Sequence, residues 1–156
     1  MTIHLGALVG SVLAAAGARQ VPNVFQNSTD QIIVRDRVEL SAAPANDLIL
    51  LARLPSATVL DPDGCICWFD DLGTGITLDV GEGTTHIDAL VDGQDVATAA
   101  GSFNLLKTVD IANYFEPIWK QLGYAKDPNK PIELFAKILG GAATGTVVWQ
   151  LKGAKR

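Results

Sequence analysis

The segment CICWFDDLGTGITLDVGEGTTHIDALVDG, residues 65–93, decides the fold class because short apolar runs alternate in it with turn signals. Cys65–Asp70, Ile76–Val80 and His86–Val91 each have the length and the branched or aromatic content of a strand. Glycine- and aspartate-rich pieces follow each run, and such pieces are typical of tight turns. Turns that recur every ~8–12 residues predict an all-β sandwich or barrel.

The same pattern extends toward both ends of the chain. Five further runs either alternate with period two or are continuously apolar, and each is predicted to be a strand: residues 32–40, 47–54, 58–61, 132–138 and 146–151. The linker GGAATG at residues 140–145 predicts that the last two strands pair as a hairpin. We therefore predict one β-sandwich domain over residues 31–156. Trp68 and Trp149 lie in predicted strands and are expected to belong to its core.

Residues 110–130 interrupt the strand pattern as a short helical insertion. Apolar side chains recur at helical spacing in DIANYFEPIWKQLG, residues 110–123. A proline inside a helix costs about 3 kcal/mol, so we predict a helix with Pro117 at its first position and its end at Gly123. So short an excursion has little core of its own, and its aromatic side chains are therefore candidates for contacts with another molecule: Tyr114, Phe115 and Trp119.

Residues 1–30 are predicted to form an arm outside the main core. Five apolar residues follow the spacing of one helix face, and an aperiodic tether comes after them. The candidate contact residues of this arm are Leu5, Leu8, Val9, Val12, Leu13, Val24 and Phe25. No Lys or Arg precedes the apolar stretch, which argues against a signal peptide, and its glycines argue against a membrane span.

The charge distribution disfavours nucleic acid as a partner. The chain of 156 residues has a net charge of −5, whereas nucleic-acid binding begins with Lys and Arg meeting phosphates. The charge is also divided: residues 1–100 carry four arginines and thirteen acidic residues, and residues 101–156 carry eight basic and four acidic residues. This division leaves two interpretations open, mutual neutralisation within the fold or two faces of opposite sign that dock neighbours.

No catalytic or cofactor-binding constellation is predicted, so we expect a protein that is not an enzyme. The two histidines are His4 and His86, and no serine or cysteine partner stands in a recognisable nucleophile motif. Paired aspartates beside glycines, such as Asp61 with Asp63, are read as turn caps, with calcium binding as the alternative. Cys65 and Cys67 are read as small buried hydrophobes rather than as a metal pair. We thus expect no metal and no cofactor.

Three stretches carry a resemblance to a known family. They are DDLGTGITLDVGEGTTHIDALVDGQDVAT at residues 70–98, NDLILLARLPSATVL at residues 46–60, and IELFAKIL together with GAATGTVVWQL between residues 132 and 151. Over about residues 46–152, apart from the 110–130 insertion, the chain resembles the capsid cement (decoration) proteins of tailed bacteriophages.

The resemblance implies a jelly-roll-like antiparallel β-sandwich that binds the outside of a phage head. The implied partner is the major capsid protein, with no nucleic acid and no membrane, and the implied location is the capsid exterior after synthesis in the host cytoplasm. An exposed apolar patch would also allow self-association as a dimer or trimer. The alternative from another class is a glycan-binding β-sandwich module of a phage tail or head fibre.

Overall fold

The computed structural model describes residues 3–5, 31–83 and 85–155. Ten strands and two short helical elements account for its regular structure. They are β1 (Ile3–Leu5), β2 (Gln31–Ala43), β3 (Leu48–Leu54), β4 (Thr58–Leu60), β5 (Ile66–Phe69), β6 (Thr77–Glu82), β7 (His86–Asp95), β8 (Gly101–Asn104), a 3-10 helix (Ile111–Asn113), α1 (Ile118–Gln121), β9 (Ile132–Leu139) and β10 (Ala143–Lys155).

Two sheets pack face to face and confirm the predicted all-β antiparallel sandwich. Sheet A has the strand order β1-β3-β9-β6-β7, and sheet B has the order β2-β10-β5-β8, with β4 also paired to β10. Every pairing between these strands is antiparallel except that of β1 with β3. The core lies between the sheets because alternate side chains of each strand point inward.

One tryptophan ties the two sheets together. Trp149 of β10 is fully buried, and its indole Nε1 donates a 2.8 Å hydrogen bond to the backbone carbonyl of Leu51 in β3. The pairing of β3 with β9 shifts register between Leu50 and Ala52, so Leu51 is the extra residue of a β-bulge. A side chain of sheet B therefore bonds a carbonyl of sheet A at the point where the ladder of sheet A is irregular.

The predicted hairpin over residues 140–145 is wrong. β9 pairs with β3 and β6 in sheet A, whereas β10 pairs with β2, β4 and β5 in sheet B. The connection crosses from one sheet to the other. Gly140 in this connection adopts a φ of 90°, and a Cβ at this position would overlap the carbonyl oxygen of Gly75, so both features require glycine. β9 and β10 each have a row of apolar side chains. These rows face each other across the core instead of lying next to each other within one sheet.

Three local predictions also need correction. β7 does not end at the Asp92–Gly93 turn signal but continues to Asp95, with a shift of register against β6. β10 runs on through Lys155, so the basic C-terminal residues up to that position belong to a strand. The strand β8 was not predicted, because its four residues, GSFN, are too few to show a period.

The insertion closes one end of the sandwich. The helix α1 has Pro117 as its N-cap, one residue later than predicted, and Gly123 follows it with a φ of 83°. Ile118 and Leu122 are buried in the common core, and Pro117 forms an isolated bridge with Val59 of β4. The insertion thus shares the core of the main domain instead of standing apart from it.

Candidate interaction surfaces

Two of the acidic side chains that were predicted to cap turns do so. Asp61 Oδ1 accepts from the backbone N–H of Asp63 at 3.1 Å, and Asp71 Oδ1 accepts from that of Gly73 at 3.0 Å. Asp70 Oδ2 instead accepts from the backbone N–H of Thr146 on β10, at 3.0 Å. Within the described ranges, no three His, Cys, Asp or Glu side chains come close enough to hold a metal ion.

His86 belongs to an aromatic contact that anchors the insertion. Its ring lies 4.7 Å, centroid to centroid, from that of Tyr124, whose hydroxyl donates a 2.6 Å hydrogen bond to Glu82 Oε2. This bond to a carboxylate raises the pKa of Tyr124 to about 12, because the proton is held between the two oxygens. The residues after α1 are in this way fixed to the turn region between β6 and β7.

The two thiols are buried and free, which confirms their interpretation as small hydrophobes. Burial raises the pKa of Cys65 to about 11 and that of Cys67 to about 12, because a thiolate would lose its hydration. The Cys65 thiol also donates to the carbonyl oxygen of Lys152 at 3.3 Å. Neither thiol has the lowered pKa and exposure of a reactive cysteine.

Two ion pairs join the acidic range of the chain, residues 1–100, to the basic range, residues 101–156. Lys152 Nζ lies 2.9 Å from Asp61 Oδ2, and Arg53 Nε lies 3.8 Å from Glu133 Oε1. In each pair one partner comes from residues 1–100 and the other from residues 101–156. The Asp61–Lys152 pair joins an acidic residue of the acidic range to a basic residue of the basic range and so supports mutual neutralisation at that point. The Arg53–Glu133 pair has the reverse order and does not bear on that interpretation.

The first exposed apolar surface is the insertion patch, which we define as Ile111 and Phe115. Their exposed fractions are 80% and 64%. Phe115 has a φ of 63°, which is unfavourable for a bulky residue, and it is held by the turn in which the N–H of Glu116 donates to the carbonyl of Asn113 at 3.2 Å. Strained backbone that presents a large apolar side chain to solvent is typical of functional segments.

The predicted contact residues of the insertion divide into two groups. Phe115 is exposed, whereas Tyr114 and Trp119 are partly buried against the core. Ile111, which was not among the predicted contact residues, is more exposed than any of the three; it lies in the 3-10 helix Ile111–Asn113, which has no buried residue.

The predicted arm is described only at Ile3–Leu5. These residues form β1, parallel to β3, so Leu5 lies in a strand and not in the predicted helical stripe. The other candidate contact residues of the arm lie outside the described residues: Leu8, Val9, Val12, Leu13, Val24 and Phe25.

The second surface is the outer face of sheet B, and its most prominent side chain is Trp68. Trp68 is 41% exposed, so the expectation that it belongs to the core is wrong. Val148 of β10 pairs with Arg37 of β2 on one side and with Trp68 of β5 on the other; the next outward row is Arg35, Gln150 and Ile66. We call these six residues the Trp68 face.

Strict alternation could have found the Trp68 face. In β5 the buried residues Cys67 and Phe69 alternate with Ile66 and Trp68, which point to the opposite side. Membership of a strand favoured the core for Trp68, whereas its position in the alternation places it on the side opposite to Cys67.

In the described part of the chain, no helix is long and apolar enough to cross a membrane.

Comparison with known proteins shows what this fold is similar to. The chain is similar to a chain of the structure titled "Capsid of Ralstonia phage GP4", with 22% sequence identity, coverage of 90% of this chain and 93% of that chain, and a TM-score of 0.57. It is also similar to a chain of the "Cyanophage Pam1 capsid asymmetric unit", with 15% identity, coverage of 91% and 96%, and a TM-score of 0.54. No family model and no curated protein matches the sequence. At these identities the similarity establishes a shared fold over nearly the whole of each chain.

Proposed function

We propose that this protein is a virion structural protein that binds the outer surface of a phage capsid and stabilises it, as a cement or decoration protein. The observation that carries the proposal is the similarity of fold to chains from two phage capsid structures, which spans 90% of this chain and 93% of the first neighbour. A shared fold does not by itself define a function. The surfaces of this chain supply the further support.

The described surface is suited to binding another protein. The insertion patch presents two large apolar side chains in the segment just before α1, while the core holds α1 and the Tyr124–Glu82 hydrogen bond holds the residues after it. A preorganised apolar anchor loses little conformational entropy on association. We expect the insertion patch to contact the major capsid protein or a second copy of this chain in a dimer or trimer, and we expect the protein to act by binding rather than by catalysis.

Repetition over a capsid strengthens such contacts. Each copy on an icosahedral shell meets equivalent neighbours, so two modest contacts per copy add up through effective concentration. A cement protein therefore needs a rigid scaffold and at least two separate contact surfaces. The insertion patch at one end of the sandwich and the Trp68 face on its side meet this requirement.

The test is binding to empty capsids assembled from the major capsid protein of the same phage. We expect co-sedimentation that saturates at a fixed number of copies per capsid, and new density on the outer surface in cryo-electron microscopy. The double substitution Ile111→Ser with Phe115→Ser should weaken this binding at least tenfold. Lys126→Ser is the control, because it changes an exposed residue of the same insertion. Absence of co-sedimentation at saturating protein, or density only inside the shell, would contradict the proposal.

A further inference from the structure

The outer face of sheet B combines an exposed indole with two arginines on a rigid backbone. Arg35 and Arg37 stand on the same side of β2, ~6.5–7 Å apart along the strand. Trp68 lies two strands away from Arg37 in the same row, which corresponds to ~9–10 Å between their Cα atoms. All three side chains are exposed, and each belongs to a strand whose backbone is paired.

These two arginines have no carboxylate partner among the described residues. The Nε of Arg35 donates to the neutral amide oxygen of Gln150 at 2.6 Å, and Arg37 is exposed without an ion pair in the described part of the chain. Of the acidic residues near this face, Glu39 stands in the next row of β2 on the same side and its Oε2 accepts from Thr146 Oγ1 at 2.6 Å, while Asp61 pairs with Lys152. Among the described residues, no carboxylate therefore occupies the guanidinium donors of Arg35 or Arg37, and these donors are open to carboxylates of a partner.

Trp68, Arg35 and Arg37 are of the residue types that anchor protein–protein interfaces. Tryptophan and arginine are the residues that most often dominate binding energy at protein interfaces. A guanidinium presents donors in a planar fork that matches a carboxylate, and it needs little reorganisation to bind one. The half-buried Val148 and Ile66 beside Trp68 add apolar surface, so the face offers one hydrophobic contact next to two sites for carboxylates.

We propose that the Trp68 face docks an acidic segment of a capsid protein, with an apolar side chain against Trp68 and carboxylates on Arg35 and Arg37. The identity of the partner rests on the proposed function, whereas its chemistry follows from the charges of the face. The chain's own residues 6–30 hold one acidic residue, Asp30, so they do not provide the two carboxylates that the face requires.

The first experiment reverses the charges. Arg35→Glu with Arg37→Glu should lower the affinity for empty capsids at least tenfold and reduce the dependence of that affinity on salt, because fewer ion pairs remain to be screened. Lys126→Glu with Lys130→Glu is the control, since it changes the net charge equally at two exposed residues away from this face. Circular dichroism should show that both double variants fold.

The outcomes separate this inference from the proposed function. If the unmodified protein does not bind capsids, the proposed function fails. If it binds, and the arginine variant binds as tightly as the lysine control, only the docking inference is overturned. It is also overturned if the arginine variant loses self-association in light scattering and keeps its capsid affinity, or if the unmodified protein binds a short DNA duplex as tightly as it binds capsids.

A second experiment identifies the partner surface without relying on affinity. Photo-crosslinking through p-benzoylphenylalanine introduced in place of Trp68 should attach the protein to a capsid-protein peptide that contains Asp or Glu. The same reagent in place of Lys126 is the control and should attach to a different peptide or to none. Crosslinks that lead to a second copy of this chain, or to a capsid peptide without acidic residues, would overturn the inference.

Discussion

The hydrogen bond between Trp149 and Leu51 should make a measurable contribution to stability, and Trp149→Phe tests it. Phenylalanine keeps an aromatic ring in the core but has no donor for the carbonyl of Leu51. Both residues are fully buried, so water does not replace the lost donor. The change therefore leaves a carbonyl at a β-bulge without the bond that the indole supplied.

The expected loss of unfolding free energy is about 2–4 kcal/mol. An unsatisfied buried acceptor costs about 1–3 kcal/mol. Replacing a large aromatic residue by alanine costs about 3–5 kcal/mol, so the smaller loss of ring volume from Trp to Phe adds about 1 kcal/mol. For a chain of this size, a loss of about 3 kcal/mol lowers the melting temperature by about 6–12 °C.

Urea denaturation followed by circular dichroism provides the measurement, with Trp68→Phe as the matched control. The control makes the same chemical change on β5, the strand next to β10, at an exposed side chain, where we expect a change within about 0.5 kcal/mol. The slope of unfolding free energy against urea should be the same in all three proteins. A loss for Trp149→Phe that is no larger than that of the control would refute the role given to the indole.

Three further predictions concern groups whose environment the fold determines. Cys65 and Cys67 should not react with Ellman's reagent in the native protein at pH 8, because burial raises their pKa values to about 11 and 12; two thiols per chain should react in denaturant, and rapid native release of either would contradict this. Lys152 lowers the pKa of Asp61, so the ionised carboxylate stabilises the fold above the ordinary value of 3.8, and that stabilisation disappears as pH falls through the lower folded-state value. The stability difference between the natural protein and Asp61→Asn in urea denaturation should therefore shrink at pH values below 3.8, and a constant difference down to pH 2 would count against the ion pair. Gly81→Ala should lower the free energy of unfolding by about 1–3 kcal/mol, since a Cβ there overlaps backbone atoms at the start of β7. A urea denaturation curve identical to that of the natural protein would show instead that β6 and β7 can move apart at this point without loss of stability.

Local patterns in the sequence were sufficient for most of the strands. Period two in residues 32–40 correctly indicated β2, in which Val34, Val38 and Leu40 are buried between exposed neighbours. The dense run after Asp47 correctly indicated β3, buried on both faces for most of its length. Both predictions succeeded because an alternating strand has one buried face, whereas a continuously apolar strand is buried on both faces.

The candidate surfaces were predicted only in part. Phe115 was named as a contact candidate because a short segment broken by a proline has little core of its own, and its side chain is exposed. Ile111 was not named because only the aromatic residues of the insertion were considered as contacts. Trp68 was expected in the core because it lies in a strand, although alternation places it on the side opposite to Cys67. Arg35 and Arg37 were recognised only as alternating positions of a strand and in the charge count, because the side chains beside them on the face come from β5 and β10.

Residues two positions apart were enough to predict which segments are strands and which side of most strands is apolar, because alternation is a local property. The choice of which strands share a sheet depends on tertiary packing. β9 and β10 are separated by three residues and look like a hairpin, yet they belong to opposite sheets. The backbone groups that pair strands are the same in nearly every residue, so they do not specify which strands pair. Strand partners are selected by how the apolar sides of all the strands pack together. The same packing brings Trp68 of β5 and the arginines of β2 onto one face by placing β10 between them.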